Sequence, residues 1–152
     1  MNDLLPTLDQ INIVSSDVEA SVAFYRRLGV EIPQSRIWRT ASGAQHVGAS
    51  RGEGVSAVGL DIDSVAFARL WNRGWQDAAD LRGRVVVGFR LSSRAAVDAI
   101  YARMTGAGHR GLQPPCDAFW GARYAIIEDP DGIAVGLMSS VTDETRSAPP
   151  LV

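Results

Sequence analysis

Two polar residues, Gln10 and Asn12, sit two apart in the apolar run LDQINIV. Strand alternation turns both to one face, where amides can hold the polar groups of a ligand. Asp61, in GVSAVGLDID, adds a carboxylate, and His46, in GAQHVGAS, adds an imidazole. An imidazole can ligate a metal or act as a general base, although on a half-exposed strand it reads first as an ordinary polar residue. Arg90 and Arg123 bring guanidinium groups suited to anions, and a structural salt bridge is an equal reading of Arg123. Asp129 and Asp131 resemble catalytic carboxylates on paper. In Asp129-Pro130-Asp131-Gly132, however, they are turn residues that bond their own backbone.

Aromatic residues form the second group. Trp38, Trp71, Trp75 and Trp120, with Phe67 and Phe119, are dense for 152 residues. Each alone reads as core or interface. Trp71 and Trp75 are four apart and share a face if their segment is helical. An aromatic-rimmed cavity with a few polar groups is the expected site for a planar or apolar small molecule. No Ser-His-Asp order, P-loop, dinucleotide fingerprint or zinc-type Cys/His cluster is present, and RGEG at 51–54 is a turn.

The elements that must position these groups follow from pattern. LDQINIV (8–14) predicts a strand. In SSDVEASVAFYRRLG, Ser16 and Glu19 form a capping box, Val18, Val22, Tyr25 and Leu28 fall at helical spacing, and Gly29 closes the helix. EIPQSRIWRT and GAQHVGAS predict a hairpin around Ser42-Gly43, and residues 54–63 a fourth strand. Residues 64–83 hold a short helix broken near Gly74. The pattern then restarts. RVVVGFRL (84–91) is a strand, and SSRAAVDAIYARMTGAG is a helix with Ala96, Ile100 and Met104 in step. HRGLQPP, CDAFWGARYAIIE and IAVGLMS are three more strands. The chain reads as two βαβββ units, the second beginning about 77 residues after the first. Residues 8–63 and 84–138 are the two modules, 64–83 their connection, and 139–152 a flexible tail.

Composition bounds the partners. Net charge is −2 with no run of like charges, which argues against nucleic acid and acidic membranes. No apolar stretch approaches the ~20 residues needed to span a bilayer. MNDLLPTLDQ lacks the basic start and apolar core of a signal peptide. The single cysteine, Cys116, excludes an internal disulfide and fits a cytoplasmic setting; it reads as a small apolar residue near a loop rather than a nucleophile. All fifteen basic residues are arginine.

LDQINIVSSDVEASVAFYRRLGV and FWGARYAIIEDPDGIAVGLMS resemble the vicinal oxygen chelate superfamily, the glyoxalase, bleomycin-resistance and extradiol-dioxygenase group. The resemblance runs from about Leu8 to Met138. It implies an α+β fold in which paired βαβββ modules make a curved, cup-like eight-stranded mixed sheet with helices outside, commonly in a homodimer. In metal-dependent members, the first and fourth strands of each module supply four ligands. Those positions fall here on Gln10, Gly59, Val86 or Val87, and Gly136. Only Gln10 keeps an acceptable donor, with Asp61 two residues beyond Gly59. The expected protein therefore carries no metal or other cofactor. It binds an apolar or aromatic small molecule, an antibiotic or a hydrophobic metabolite, through Gln10, Asn12, Trp38, His46, Asp61, Trp71, Trp75, Phe119, Trp120 and Arg123. Binding would sequester the ligand, and no catalytic residue is assigned. The alternative is a metal-dependent lyase, isomerase or dioxygenase with an atypical site from Gln10, Asp61 and His46. A third reading is a regulatory module whose cup senses a ligand.

Overall fold

Strand β1 (Gln10–Ser15) leads into helix α1 (Val18–Leu28), and the join shows how sequence fixes geometry. Asp17, in extended backbone, caps the helix by accepting from the Ala20 N–H. The cap is therefore Asp17 and not the Ser16 that the capping-box pattern predicts; Ser16 lies one position too early to reach the first turn. Gly29 ends the helix at φ 113°, a conformation that costs an L side chain strain. Val18, Ser21, Val22, Tyr25 and Leu28 form the buried stripe. Phe24 and Tyr25 meet edge to face at 5.0 Å, both fully buried. Burial of each such ring is worth about 2–3 kcal/mol. The buried Ser15 and Ser21 hydroxyls, 2.8 Å apart, tie β1 to α1.

The computed structural model describes residues 10–51, 58–71 and 85–148. The chain divides into two compact units, residues 1–77 and 78–152. In the first, β2 (Ile37–Arg39), β3 (Gln45–Gly48) and β4 (Gly59–Ser64) complete a four-stranded mixed sheet in the order β1-β4-β3-β2. β1 and β4 run parallel, with Gln10 beside Gly59 and Asn12 beside Asp61. Ile13, Val47 and Ile62 line the face shared with Ser15 and form the core beneath α1. Helix α2 (Val65–Trp71) follows β4 directly, its Phe67 N–H donating to the Ser64 hydroxyl.

The second unit repeats the plan. Strand β5 (Val86–Arg90) is followed by helix α3 (Arg94–Gly106), then β6 (Gly111–Asp117), β7 (Arg123–Glu128) and β8 (Ala134–Met138). The order β5-β8-β7-β6 mirrors the first sheet, with β5 and β8 parallel. Val87, Val135, Leu137, Ala125 and Ile127 form its core on the α3 side. The buried stripe of α3 is Val97 and Met104; Ala96 and Ile100, expected to share it, are only half-buried. Beyond β8 the chain is held to the β6–β7 turn: Thr142 N–H and the Thr145 hydroxyl both donate to Gly121 C=O, and Ser147 N–H donates to Phe119 C=O. The α+β fold of two βαβββ modules is thus as the repeat implies, each module carrying a four-stranded sheet with helices.

Candidate functional site

In the first unit, the sheet face away from α1 is polar. Alternation and register place Gln10, Asn12, His46, Gly48, Gly59, Asp61 and Asp63 on it, with Trp38 beside His46. Asp61 and Asp63 are 8% and 1% exposed, so each needs partners. Asp63 accepts from Asn12 Nδ2 at 3.0 Å through one oxygen and meets His46 Nδ1 at 2.6 Å through the other. Trp38 and Phe67 pack on the imidazole with ring centres 5.3 and 5.4 Å away, and meet each other edge to face at 4.9 Å.

A few residues along the same face, an arginine covers Gly59, one of the positions where the resemblance implies a metal ligand. The Arg51 guanidinium lies over Gly59, so close that a Cβ there would collide with it. It donates to Gln10 Oε1 at 3.2 Å and stands 3.9 Å from an Asp61 oxygen. The Arg36 guanidinium covers Gly48, and Asp61 Oδ1 borders the same spot.

The corresponding face of the second unit is built from Val86, Gly88, Arg90, Ala134, Gly136, Met138, Tyr124, Ile126 and Glu128. Val86 sits on this face, against Gly136, whereas Val87 is in the core. Above Gly136 lies Tyr124: a Cβ at Gly136 would stand 2.9 Å from its hydroxyl oxygen and 3.3 Å from its ring. Burial pushes the Tyr124 pKa up, and the nearby Cys116 thiol adds to the shift. Tyr124 packs on Trp120 at 5.3 Å, and Trp120 on Phe119 at 5.1 Å, all near edge to face. These three rings line an open surface pocket of about 560 Å³, with Gln113, Cys116, Asp117 and Ser147 on its polar side. Cys116 accepts from the Gln113 amide at 3.2 Å.

The four ligand positions do not suit a divalent metal. Gly59 and Gly136 offer no donor, and a cation and a phenol cover them. Val86 is apolar, and the Gln10 oxygen already accepts from Arg51. Among the described residues, no three His, Cys, Asp or Glu side chains converge. The guanidinium next to Asp61 repels a second cation and supplies the positive charge itself.

The predicted residues therefore separate. Asn12, Trp38 and His46 come together around Asp63, Gln10 and Asp61 around Arg51, and Phe119 and Trp120 at the cavity. Arg123 takes the salt-bridge reading: it turns to the α3 side, where it bonds Asp98 and Asp117, each at 2.9 Å. Asp117 consequently titrates below the ordinary carboxylate value, first through its Arg123 hydrogen bond and then through Arg94. Trp71 ends α2, and Trp75 lies outside the described residues. Sequence reasoning missed Asp63, Arg51 and Tyr124. Alternation from Asp61 points to Asp63, and alternation from Ile126 to Tyr124. Arg51, just past β3, carries no periodic signal.

The sequence model of the Glyoxalase/Bleomycin resistance protein/Dioxygenase superfamily matches residues 7–137. No curated protein matches the chain. Among solved structures, a glyoxalase/bleomycin resistance protein/dioxygenase from Nocardioides is 24% identical with a TM-score of 0.66, over 97% of this chain and 90% of that one. A family enzyme from Burkholderia phytofirmans PsJN is 18% identical with a TM-score of 0.70, over 88% and 98%. A hypothetical protein from S. aureus is 20% identical with a TM-score of 0.68, over 90% and 95%. At these identities the likeness is one of fold.

Proposed function

The chain belongs to the Glyoxalase/Bleomycin resistance protein/Dioxygenase superfamily, and from that premise we propose that it is a metal-independent binder of an apolar or aromatic small molecule. The observation that carries this reading is an open surface pocket of about 560 Å³ lined by Phe119, Trp120 and Tyr124. Its size falls within the range of small-molecule sites, and its few polar groups suit orientation rather than coordination. Three rings set edge to face leave ring faces against which a planar ligand can lie. The covered glycine positions support the metal-independent half of the proposal. The competing metal-dependent lyase, isomerase or dioxygenase needs Gln10, Asp61 and His46 on one ion. Gln10 instead bonds Arg51, and His46 bonds Asp63. A homodimeric state and a sequestering role in the cytoplasm are parts of the same proposal. No described helix is long and apolar enough to cross a membrane.

Elemental analysis of untagged protein and a thermal-shift screen of planar aromatic compounds test the two halves. Metal well below one per chain, even after incubation with Zn²⁺, Ni²⁺, Mn²⁺ and Fe²⁺, is the expected first result. A saturable ligand whose binding Trp120→Ala weakens at least tenfold is the expected second. Stoichiometric metal lost in Gln10→Ala or Asp61→Ala overturns the metal-independent half. A ligand indifferent to Trp120→Ala and Phe119→Ala overturns the cavity assignment.

A further inference from the structure

We propose that His46 and Asp63 form a proton-transfer site in the first unit, in which the imidazole acts as a general base on a planar carbon acid. This goes beyond ligand binding at the Trp120 cavity and does not depend on it, because the residues are different ones.

Asp63 anchors the site. Its carboxylate is 1% exposed and accepts from the Asn12 amide at 3.0 Å, so one oxygen is fixed. The other oxygen meets His46 Nδ1 at 2.6 Å. A carboxylate can only accept, so Nδ1 must carry the hydrogen of this bond. In the neutral ring that leaves the lone pair on Nε2, the basic nitrogen. A buried carboxylate behind an imidazole does three things: it selects the tautomer, holds the ring's orientation and stabilises the imidazolium that forms when Nε2 takes a proton. Asn12 acts one step back, as a positioning residue for the carboxylate.

The surroundings suggest the substrate. The His46 side chain is 24% exposed, enough to be reached and too little to be freely solvated. Trp38 stands at 5.3 Å and is itself 49% exposed, an aromatic surface beside the base. Phe67 closes another side at 5.4 Å. Other charged groups on this sheet face are Asp61, with Arg36 and Arg51 around it. The class that fits is a planar aromatic compound with an acidic C–H, such as an aryl-substituted carbonyl compound. The proton passes from carbon to Nε2, and the C–H electron pair delocalises into the carbonyl as an enolate. Return of the proton to oxygen or to another carbon completes a tautomerisation or isomerisation. The steps need no metal and no oxidant.

The probe is 5-nitrobenzisoxazole, a planar aromatic carbon acid. A base removes its C3 proton, the N–O bond breaks, and the coloured cyanophenolate appears. The wild-type chain should open it about 100-fold faster than His46→Gln, an effect typical of a positioned general base. Asp63→Asn should lose at least tenfold in kcat, because the amide can support the other tautomer. Trp38→Ala should raise KM more than it lowers kcat. Nitrogen NMR of the His46 ring gives a readout independent of turnover: in the neutral ring, Nδ1 should carry the hydrogen. Wild-type turnover equal to that of His46→Gln in a folded protein, or to the same concentration of free imidazole, overturns the proposal. So does a neutral ring protonated on Nε2.

Discussion

The contact between Arg51 and Gly59 predicts a coupling that can be measured. A Cβ at residue 59 would land on the Arg51 guanidinium. That guanidinium contributes a hydrogen bond to Gln10 at 3.2 Å and an ion pair with Asp61 at 3.9 Å, with the Arg51 side chain 30% exposed. Partly exposed contacts of this kind are together worth roughly 1–2 kcal/mol. Gly59→Ala therefore meets two opposed effects. It displaces a flexible side chain and forfeits those contacts, while the alanine gains about 0.5–1 kcal/mol by restricting the unfolded chain in a strand. The net expectation is a loss of roughly 0.5–1 kcal/mol, or a few degrees in Tm for a chain of this length. Arg51→Ala should cost about 1–2 kcal/mol. In that background Gly59→Ala should change sign and stabilise, because the obstacle is gone. Urea unfolding of the four proteins then gives a coupling energy of about 1–2 kcal/mol. Additive effects within about 0.3–0.5 kcal/mol would refute the placement of Arg51 over Gly59.

Other outcomes follow from the same geometry. Gly136→Ala should destabilise by about 1–3 kcal/mol, since its Cβ would meet the Tyr124 hydroxyl at 2.9 Å and Val86 at 3.2 Å; combined with Tyr124→Phe, the loss should shrink in thermal unfolding. Asp117 titrates below 3.8 in the folded chain, chiefly through Arg123. Its contribution is therefore fully present above that value and is lost as pH falls through the lower, folded one. Asp117→Asn should flatten this part of the acid limb in pH-dependent unfolding, and added salt should weaken the effect because the carboxylate is exposed. Tyr124 shifts the other way: its folded pKa lies above 10, so stability holds below the unfolded value and falls as pH rises through the folded one. Ultraviolet titration of wild type against Tyr124→Phe should show one tyrosine ionising late.

The fold was legible because its signals are local and repeated. Val18, Val22, Tyr25 and Leu28 mark the buried stripe of α1 directly, and Gly29 its end. The repeat then doubles the evidence. Boundaries were less legible: Ser16 and Asp17 are both good caps, and only the backbone decides which reaches Ala20. The site was half legible for a different reason. Alternation tells which residues share a face, and it grouped Gln10 with Asn12. It does not tell what reaches onto that face from outside the strand. Arg51 and Arg36 arrive from beyond the strands, and their places show only where a glycine has no Cβ. Arg123 had two equal readings in the sequence, an anion site and a structural salt bridge, and the structure shows the salt bridge. It begins β7, where alternation with Tyr124 puts it on the helix side; only its partners there, Asp98 and Asp117, lie outside the reach of pattern.

Gly59 and Gly136 occupy strand positions in different units. A glycine in a strand interior is costly unless something needs its space. Each of these two is covered by a polar side chain from elsewhere in its own unit, a guanidinium in one and a phenol in the other. A glycine with nothing over it would leave a void; here the space over Gly59 in the first unit and over Gly136 in the second is filled. The guanidinium brings a permanent positive charge that no pH change removes. The phenol, its ionisation opposed by burial, stays neutral and able to donate through the physiological range. In each unit taken by itself, the space over the glycine is filled by a hydrogen-bond donor of the chain's own.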